Sequence, residues 1–433
     1  MKSKFYTLIP FFVFIAVFLG VGIYLDDFYK LPSPIAIIIG ILVAFILFRT
    51  PMSQKVASFI SGCGDSKIIT MCIVYLLAGA FALVTKAIGG VDMMVQIGLT
   101  YIPLAYLALG IFVIACFLSV SIGTSVGSIV ALGPIVVGLG EQSGISMGLL
   151  CGSLLGGSMF GDNLSLISDT TIAATQSLGC EMRDKFKANF KLAFPAALIT
   201  LVILFFSKQE IAVTPEALLE LSMTNYWLIV PYLLIIVLAM VGVQVFTALL
   251  LGIVSAGVIG FYQGDFTLIS FSQEVYNGFT SMTEIFLLSM FTGGLAKMVE
   301  DQGGIAWILG QMRKRIHSAR SAQWGIGLLV STINFAVANN TVSILVSGNL
   351  AKDIADEYKL PKPQVASILD IFACVVQGIL PYGAQVLILL SFTNGKLDYL
   401  ELFQYSYYIF AVLGITSLYL VFSPQNRNLV KES

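Results

Sequence analysis

The chain has 433 residues, of which 58% are hydrophobic and only 11% charged, with a mean hydropathy of +0.93. A soluble domain of this length does not carry that balance, so the composition excludes one and requires a chain that crosses a bilayer repeatedly. The formal net charge of −1 gives no indication of partners, and no nucleic-acid partner is expected.

Apolar runs of about 17–25 residues mark the spans. Residues 7–25 form the first; Lys2 and Lys4 precede it, but the run is long and lacks a small-residue cleavage site, so it reads as a span. Residues 34–48 and 68–84 follow. Residues 86–96, with paired glycines and Asp92, read as an interfacial helix. Residues 101–120 and 128–139 are two apolar arms around SIGTSVG (121–127), the pattern of a re-entrant hairpin with its tip in the protein interior. Residues 145–175 form a long helix predicted to break near 160–163. A basic loop to Lys191 and a span at 192–206 complete the first half.

The second half repeats this order. Residues 226–243 and 245–262 are spans divided at 242–244, and 284–298 is the third, followed by an interfacial piece at Gly303 and Gly304. A second hairpin has arms 324–338 and 342–354 around Ala338, Asn339, Asn340 and Thr341. Residues 365–392 break near GILPYGAQ (378–385), and 402–422 close the chain. Lys86 corresponds to Lys297, Gly89 to Gly303, Ser125 to Thr341 and Gly156 to Gly378, at separations that only grow along the chain.

The expected fold is therefore an all-α polytopic membrane protein of two inverted-topology repeats, with about ten transmembrane helices and two hairpins. Each repeat has three spans, an interfacial helix, a re-entrant hairpin, a broken helix and a final span. Repeat 1 is residues 1–210 (hairpin 101–140, broken helix 145–175), and repeat 2 is residues 211–433 (hairpin 324–355, broken helix 364–393). Five crossings per repeat is an odd number, so the second repeat must be inverted. Charge agrees: with both termini cytoplasmic, the inner segments hold Arg49, Lys55, Arg183, Lys185, Lys187, Arg313, Lys314, Arg315, Arg320, Arg427 and Lys431. The outer loops carry Asp26, Asp27, Glu210, Glu216, Glu220, Asp265, Glu274, Asp398 and Glu401, as an inner-membrane protein with cationic cytoplasmic loops requires.

Residues 156–176, GGSMFGDNLSLISDTTIAATQ, set carboxylates and hydroxyls between apolar segments. An acid at bilayer depth is costly, so it usually lines a protein cavity and handles an ion or a proton. Gly156, Gly157 and Gly161 are expected to weaken the helix at Asp162 and Asn163, and a helix from Leu164 onward would put Ser165 and Asp169 on one face. The oxygen inventory suits a hard monovalent cation. Asp162, Asn163, Ser165 and Asp169 stand on the first broken helix, Thr124, Ser125 and Ser128 at one tip, Asn339, Asn340 and Thr341 at the other, and Gln377 and Gln385 on the second broken helix. Asp162, Asp169, Asn340 and Thr341 are the candidate Na+ ligands. Asp370, on the helical face of Gln377, has Gly148 as its counterpart in repeat 1; it is either a third ion or proton site or a carboxylate paired with a buried lysine or hydroxyl. Cys63, Cys72, Cys116, Cys151, Cys180 and Cys374 show no metal or disulfide spacing, and His317 reads as a surface side chain. No cofactor is expected beyond Na+ as transported or coupling ion. Desolvation favours the neutral acid and a bound cation favours the charged one, so proton and Na+ compete for one carboxylate, which is the minimum machinery of an exchanger.

GDNLSLISDTT (161–171), preceded by GTSVGS (123–128), closely resembles the signature of the NhaC-type sodium/proton antiporters, within the ion transporter superfamily. The resemblance implies inverted repeats with two hairpins and two broken helices, homodimers, and an elevator-like movement of substrate. Superfamily tips carry Ser-Asn-Thr-like sodium motifs, which Asn339, Asn340 and Thr341 resemble. Two positions depart from the family motif: Asn163 stands where Lys is common, and Leu166 where Pro is common. Relatives also exchange small organic acids or carry amino acids. The leading expectation is exchange of Na+ for H+; the alternative is a Na+-coupled carrier or exchanger of a small carboxylate or amino acid. Neither hairpin nor broken helix contains the arginine that an organic-anion site often adds. A lone loop histidine excludes a Ser–His enzyme, and Asp162, Asp169 and Asp370 leave a diaspartyl protease as the enzymatic alternative. No phosphate-binding G-x-x-x-x-G-K-[ST] run is present, so a secondary transporter is expected rather than an enzyme or an ATP-driven pump.

Overall fold

The computed structural model describes residues 5–25, 31–166, 168–207 and 226–422, and every regular element among them is helical. The first half runs α1 (Ile9–Leu25), α2 (Ser33–Leu47), α3 (Met52–Cys63), α4 (Ser66–Ala87), α5 (Gly90–Tyr101), α6 (Leu107–Ile122), α7 (Ser125–Ser143), α8 (Met147–Leu164), α9 (Asp169–Leu178) and α10 (Met182–Phe206). The second runs α11 (Val230–Met240), α12 (Val245–Gln263), α13 (Leu268–Ser281), α14 (Thr283–Asp301), α15 (Gly304–Arg313), α16 (Ala319–Val337), α17 (Asn340–Glu357), α18 (Lys362–Ile379), α19 (Ala384–Phe392), α20 (Tyr399–Gln404) and α21 (Tyr407–Phe422). Seven described helices are long and apolar enough to cross a membrane, or eight when α13 and α14, bent by 46°, count as one span. The helices at Ser33–Leu47, Tyr226–Leu238 and Tyr407–Phe422 are apolar but shorter, which is why fewer spans meet that length than the ten expected. The charges assigned to the two termini and to the loops at 26–27 and 210–220, and the 210/211 repeat boundary, lie outside the described residues.

The same local geometry recurs in both halves. α5 and α15 each follow a glycine in the left-handed region, Gly89 (φ 78°) and Gly303 (φ 81°). α6 ends on Gly123 (φ 77°) and α16 on Ala338 (φ 50°), and an extended residue, Thr124 or Asn339, then starts the next helix. The helix contacts are exchanged between halves: α3 packs on α14 and α13 on α4; α9 packs on α17 and α19 on α7; α10 packs on α18 and α21 on α8. Two glycine contacts bring backbones together. A methyl on Gly62 would lie 2.4 Å from the carbonyl oxygen of Gly293, and one on Gly79 would lie 2.1 Å from that of Gly278.

Three expectations are corrected. α3 and α13 are helices where an inner segment and an outer loop were predicted. Their signal is an amphipathic period, with Phe271, Val275, Gly278, Phe279 and Met282 turned inward on or just after α13. The basic loop to Lys191 is instead the start of α10, which carries Lys185 and Asn189 on its buried face. The first helix does not break near 160–163: α8 continues to Leu164 and α9 starts at Asp169, so Ser165 and Asp169 do not share a helical face.

The glycines explain the shift of the break. Gly161 lies against α6, where an added methyl would sit 2.2 Å from Cβ and 2.5 Å from Oγ of Ser119 and 2.5 Å from the Val120 nitrogen. Gly157 meets the Phe112 carbonyl in the same way, at 2.4 Å. These glycines permit close helix packing rather than unwinding. Gly161→Ala is expected to destabilise the protein by about 1–3 kcal/mol through overpacking, read as a lower midpoint of thermal unfolding in detergent. A methyl tolerated without loss would contradict this packing role.

Candidate ion site

The break between α8 and α9 is built from serines. Ser168 caps α9 by accepting from the Thr170 amide, and its Oγ donates to Oδ1 of Asp162 at 2.5 Å. The carbonyl of Ser165, in the break, accepts from Thr171 Oγ1 at 2.9 Å. At the first tip, Ser125 opens α7 and its Oγ donates to Oδ2 of Asp162 at 2.8 Å. Ser125 Oγ accepts in turn from Gln385 Nε2 at 3.0 Å. Gln377 Nε2 then donates to Gln385 Oε1 at 3.0 Å and to the Ala338 carbonyl at 3.2 Å. One hydrogen-bonded path thus joins both breaks and both tips.

Asp162 is 5% exposed, and no cationic side chain lies within ion-pair distance of it among the described residues. Each carboxylate oxygen accepts one serine hydroxyl and retains lone-pair capacity. Asp162 faces a cavity of about 670 Å3, which also takes in Thr124, Ser125, Asp169, Asn339, Asn340, Thr341, Gln377 and Gln385. Its remaining wall comes from α4 at Thr70, Met71 and Val74 and from the α11–α12 connection at Gly242–Gln244. Asp169 is exposed on this cavity as the first residue of α9, where the helix terminus favours a negative charge. Asn339 caps α17, with Oδ1 accepting from the Val342 amide at 2.9 Å, and Asn340 Oδ1 accepts from the Thr341 amide at 3.0 Å.

Four predicted residues fall outside the cavity wall. Ser128 is one turn inside α7 and donates to the Thr124 carbonyl at 3.1 Å. Ser165 is buried in the break. Asn163 points the other way from Asp162, its Nδ2 donating to the Tyr408 hydroxyl at 3.0 Å. Asp370 is fully buried and ion-paired: Lys185 Nζ donates to its Oδ2 at 2.8 Å and Asn189 Nδ2 at 2.6 Å. Helical geometry accounts for Asn163, since adjacent residues point about 100° apart, and the Lys185 ion pair accounts for Asp370.

Lys185, Asn189 and Ser168 were not anticipated as site residues. Lys185 also donates to Thr171 Oγ1 at 2.6 Å and to the Asn163 carbonyl at 3.2 Å, and Asn189 donates to that carbonyl at 2.7 Å. The pair of donors therefore grips both sides of the α8–α9 break. Their four-residue spacing, continuous with buried Leu192, Ala193, Ala196, Ala197 and Thr200, was the available signal.

A sequence model of the Na+/H+ antiporter family matches residues 1–209 and again residues 205–423. The chain belongs to this family. The malate-2H(+)/Na(+)-lactate antiporter of Bacillus subtilis is 22% identical over 406 residues, 87% of each chain. The Na(+)/H(+) antiporter NhaC of Bacillus subtilis is 24% identical over 349 residues, covering 74% of this chain and 76% of that one. The arginine/ornithine antiporter ArcD of Halobacterium salinarum is 23% identical over 402 residues, covering 85% and 82%. This antiporter-family chain is thus a multi-pass membrane transporter and not an enzyme.

Proposed function

We propose that the protein exchanges Na+ for H+ across the cytoplasmic membrane, with both termini cytoplasmic and the two halves related as inverted repeats. The α6–α7 and α16–α17 pairs are then re-entrant hairpins whose tips meet α8–α9 and α18–α19 near the bilayer midplane. The observation that carries this reading is Asp162: a buried carboxylate on a polar cavity, held by two serine hydroxyls and without a cationic partner among the described residues. Na+ and a proton compete for it, because the cation needs the charged carboxylate and burial favours the neutral one. Asp169, Asn340 and Thr341 supply further oxygens from the same cavity. The exchanged helix contacts and the repeated tip geometry support the inverted-repeat part. Where the family motif commonly has Lys, this chain has Asn163, and Lys185 brings a positive charge to that residue's carbonyl from α10.

A second reading is exchange of a small carboxylate or amino acid, with Na+ as coupling ion. Two relatives bear names of that kind, and a cavity of about 670 Å3 is larger than one cation requires. Proteoliposomes loaded with a pH probe separate the two. Na+ added alone is expected to drive proton movement, whereas K+ and a panel of carboxylates and amino acids are not. A signal that appears only with an organic solute would replace the first reading by the second.

A further inference from the structure

A second pocket, of about 210 Å3, opens between the first turns of α10 and α18 and shares no lining residue with the larger cavity. Asp184, Lys187 and Lys191 stand on one side and Gln364 and Ser367 on the other. Lys187 and Asp184 form an exposed ion pair at 3.0 Å, so the mouth is wet. The floor differs. Ser367 lies one turn before Asp370 on α18, and Asp184 and Ala188 each adjoin Lys185 or Asn189 on α10. The pocket wall thus comes within a helical turn of the buried Lys185–Asp370–Asn189 cluster, whose members do not themselves line it.

Among the described residues, polar atoms at this wall or just behind it have no protein partner. Gln364 is 8% exposed and Ser367 1% exposed, yet Gln364 Nε2 and Ser367 Oγ are unpaired, as is Oδ1 of Asn189. Buried polar groups are rarely left so; these atoms are closed off from the pocket's own space, and water admitted past its wall would satisfy them. We infer that this pocket is a second aqueous inlet, giving water and protons a way to the Lys185–Asp370 pair that does not pass through the cation cavity. The inlet stands on its own geometry; its use by protons rests on the proposed Na+/H+ exchange.

The test is thiol accessibility in proteoliposomes. Ser367→Cys is treated with a small charged methanethiosulfonate, and the modified peptide is read by mass spectrometry, because the six native cysteines are free thiols. Residue 367 is expected to react about tenfold faster than Ile371→Cys, a buried position on α18 outside both pockets, since reactivity follows access. Saturating Na+ is expected to slow labelling of Thr124→Cys in the large cavity but not of Ser367→Cys. A bulky adduct at 367 is expected to cut proton flux severalfold while the half-saturating Na+ concentration stays constant. Ala188→Cys, on the opposite wall, repeats the test if Ser367→Cys does not fold. Labelling no faster than at 371, Na+ protection at 367 as strong as that at 124, or an adduct without effect on proton flux would each overturn the inference. Loss of Na+ protection at 124 alone would instead count against the Na+ reading. Proton flux is then taken with whichever solute drives it, so the inlet is still decided.

Discussion

Asp162→Asn is expected to abolish Na+-driven proton movement in proteoliposomes, with apparent Na+ affinity falling about 100-fold, the equivalent of about 3 kcal/mol for a lost charge-assisted contact. The amide keeps the size of the side chain and one acceptor for Ser125 or Ser168, so folding should survive while cation and proton lose their shared group. The pH dependence gives the sharper readout. In the native protein the half-saturating Na+ concentration should rise as pH falls, by up to about tenfold per pH unit for one shared group, because protons displace the cation. In Asp162→Asn that slope should vanish. Asp169→Asn, at an exposed position on the same cavity, should raise the half-saturating concentration but keep the slope. An unchanged slope in Asp162→Asn would assign the competition to another group.

Lys185→Met should be the most destabilising single change near the site. It leaves Asp370 charged and buried without its cation, and breaking such a pair costs about 3–5 kcal/mol. Asp370→Asn should be similarly harmful, since it strands Lys185. The double variant Lys185→Met/Asp370→Asn removes both charges and should recover most of the lost thermal stability in detergent. Transport should not recover with it. Lys185 also holds Thr171 and the Asn163 carbonyl, one on each side of the break beside Asp162, and methionine replaces neither hydrogen bond. A double variant with native stability and native Na+ half-saturation would reduce the pair to an ordinary structural contact.

Much of the architecture could be read from composition alone. Apolar runs and polar interruptions pointed to breaks within 121–127, 338–341 and 378–385, and the helices do break there, at 123–124, 338–339 and 380–383, because each stretch interrupts a hydrophobic pattern that bilayer solvation otherwise enforces. Gly161 was misjudged because glycine has two uses: it loosens a helix in isolation, and it lets two helices touch in a packed bundle. Which use applies depends on Ser119, far away in sequence. Lys185 was misjudged for a related reason. A lysine beside other basic residues resembles a cytoplasmic loop until Asp370, on a helix from the other half, is known to face it. Of the expected oxygens, those at helix starts and tips line the cavity, as do Asp162 and Gln377 near the ends of α8 and α18. Those within helices, Asn163 and Ser128, turned elsewhere because local periodicity fixes a direction only once the helix's own orientation is known.

The glycine contacts between Gly62 and Gly293 and between Gly79 and Gly278 have a mechanical consequence. Backbones that touch without intervening side chains cannot slide past each other, since a shift of one residue would drive a Cβ into a carbonyl. α3 against α14 and α4 against α13 therefore resist sliding, and a methyl added at Gly62 or Gly79 would have to push two backbones apart before either helix could keep its seat.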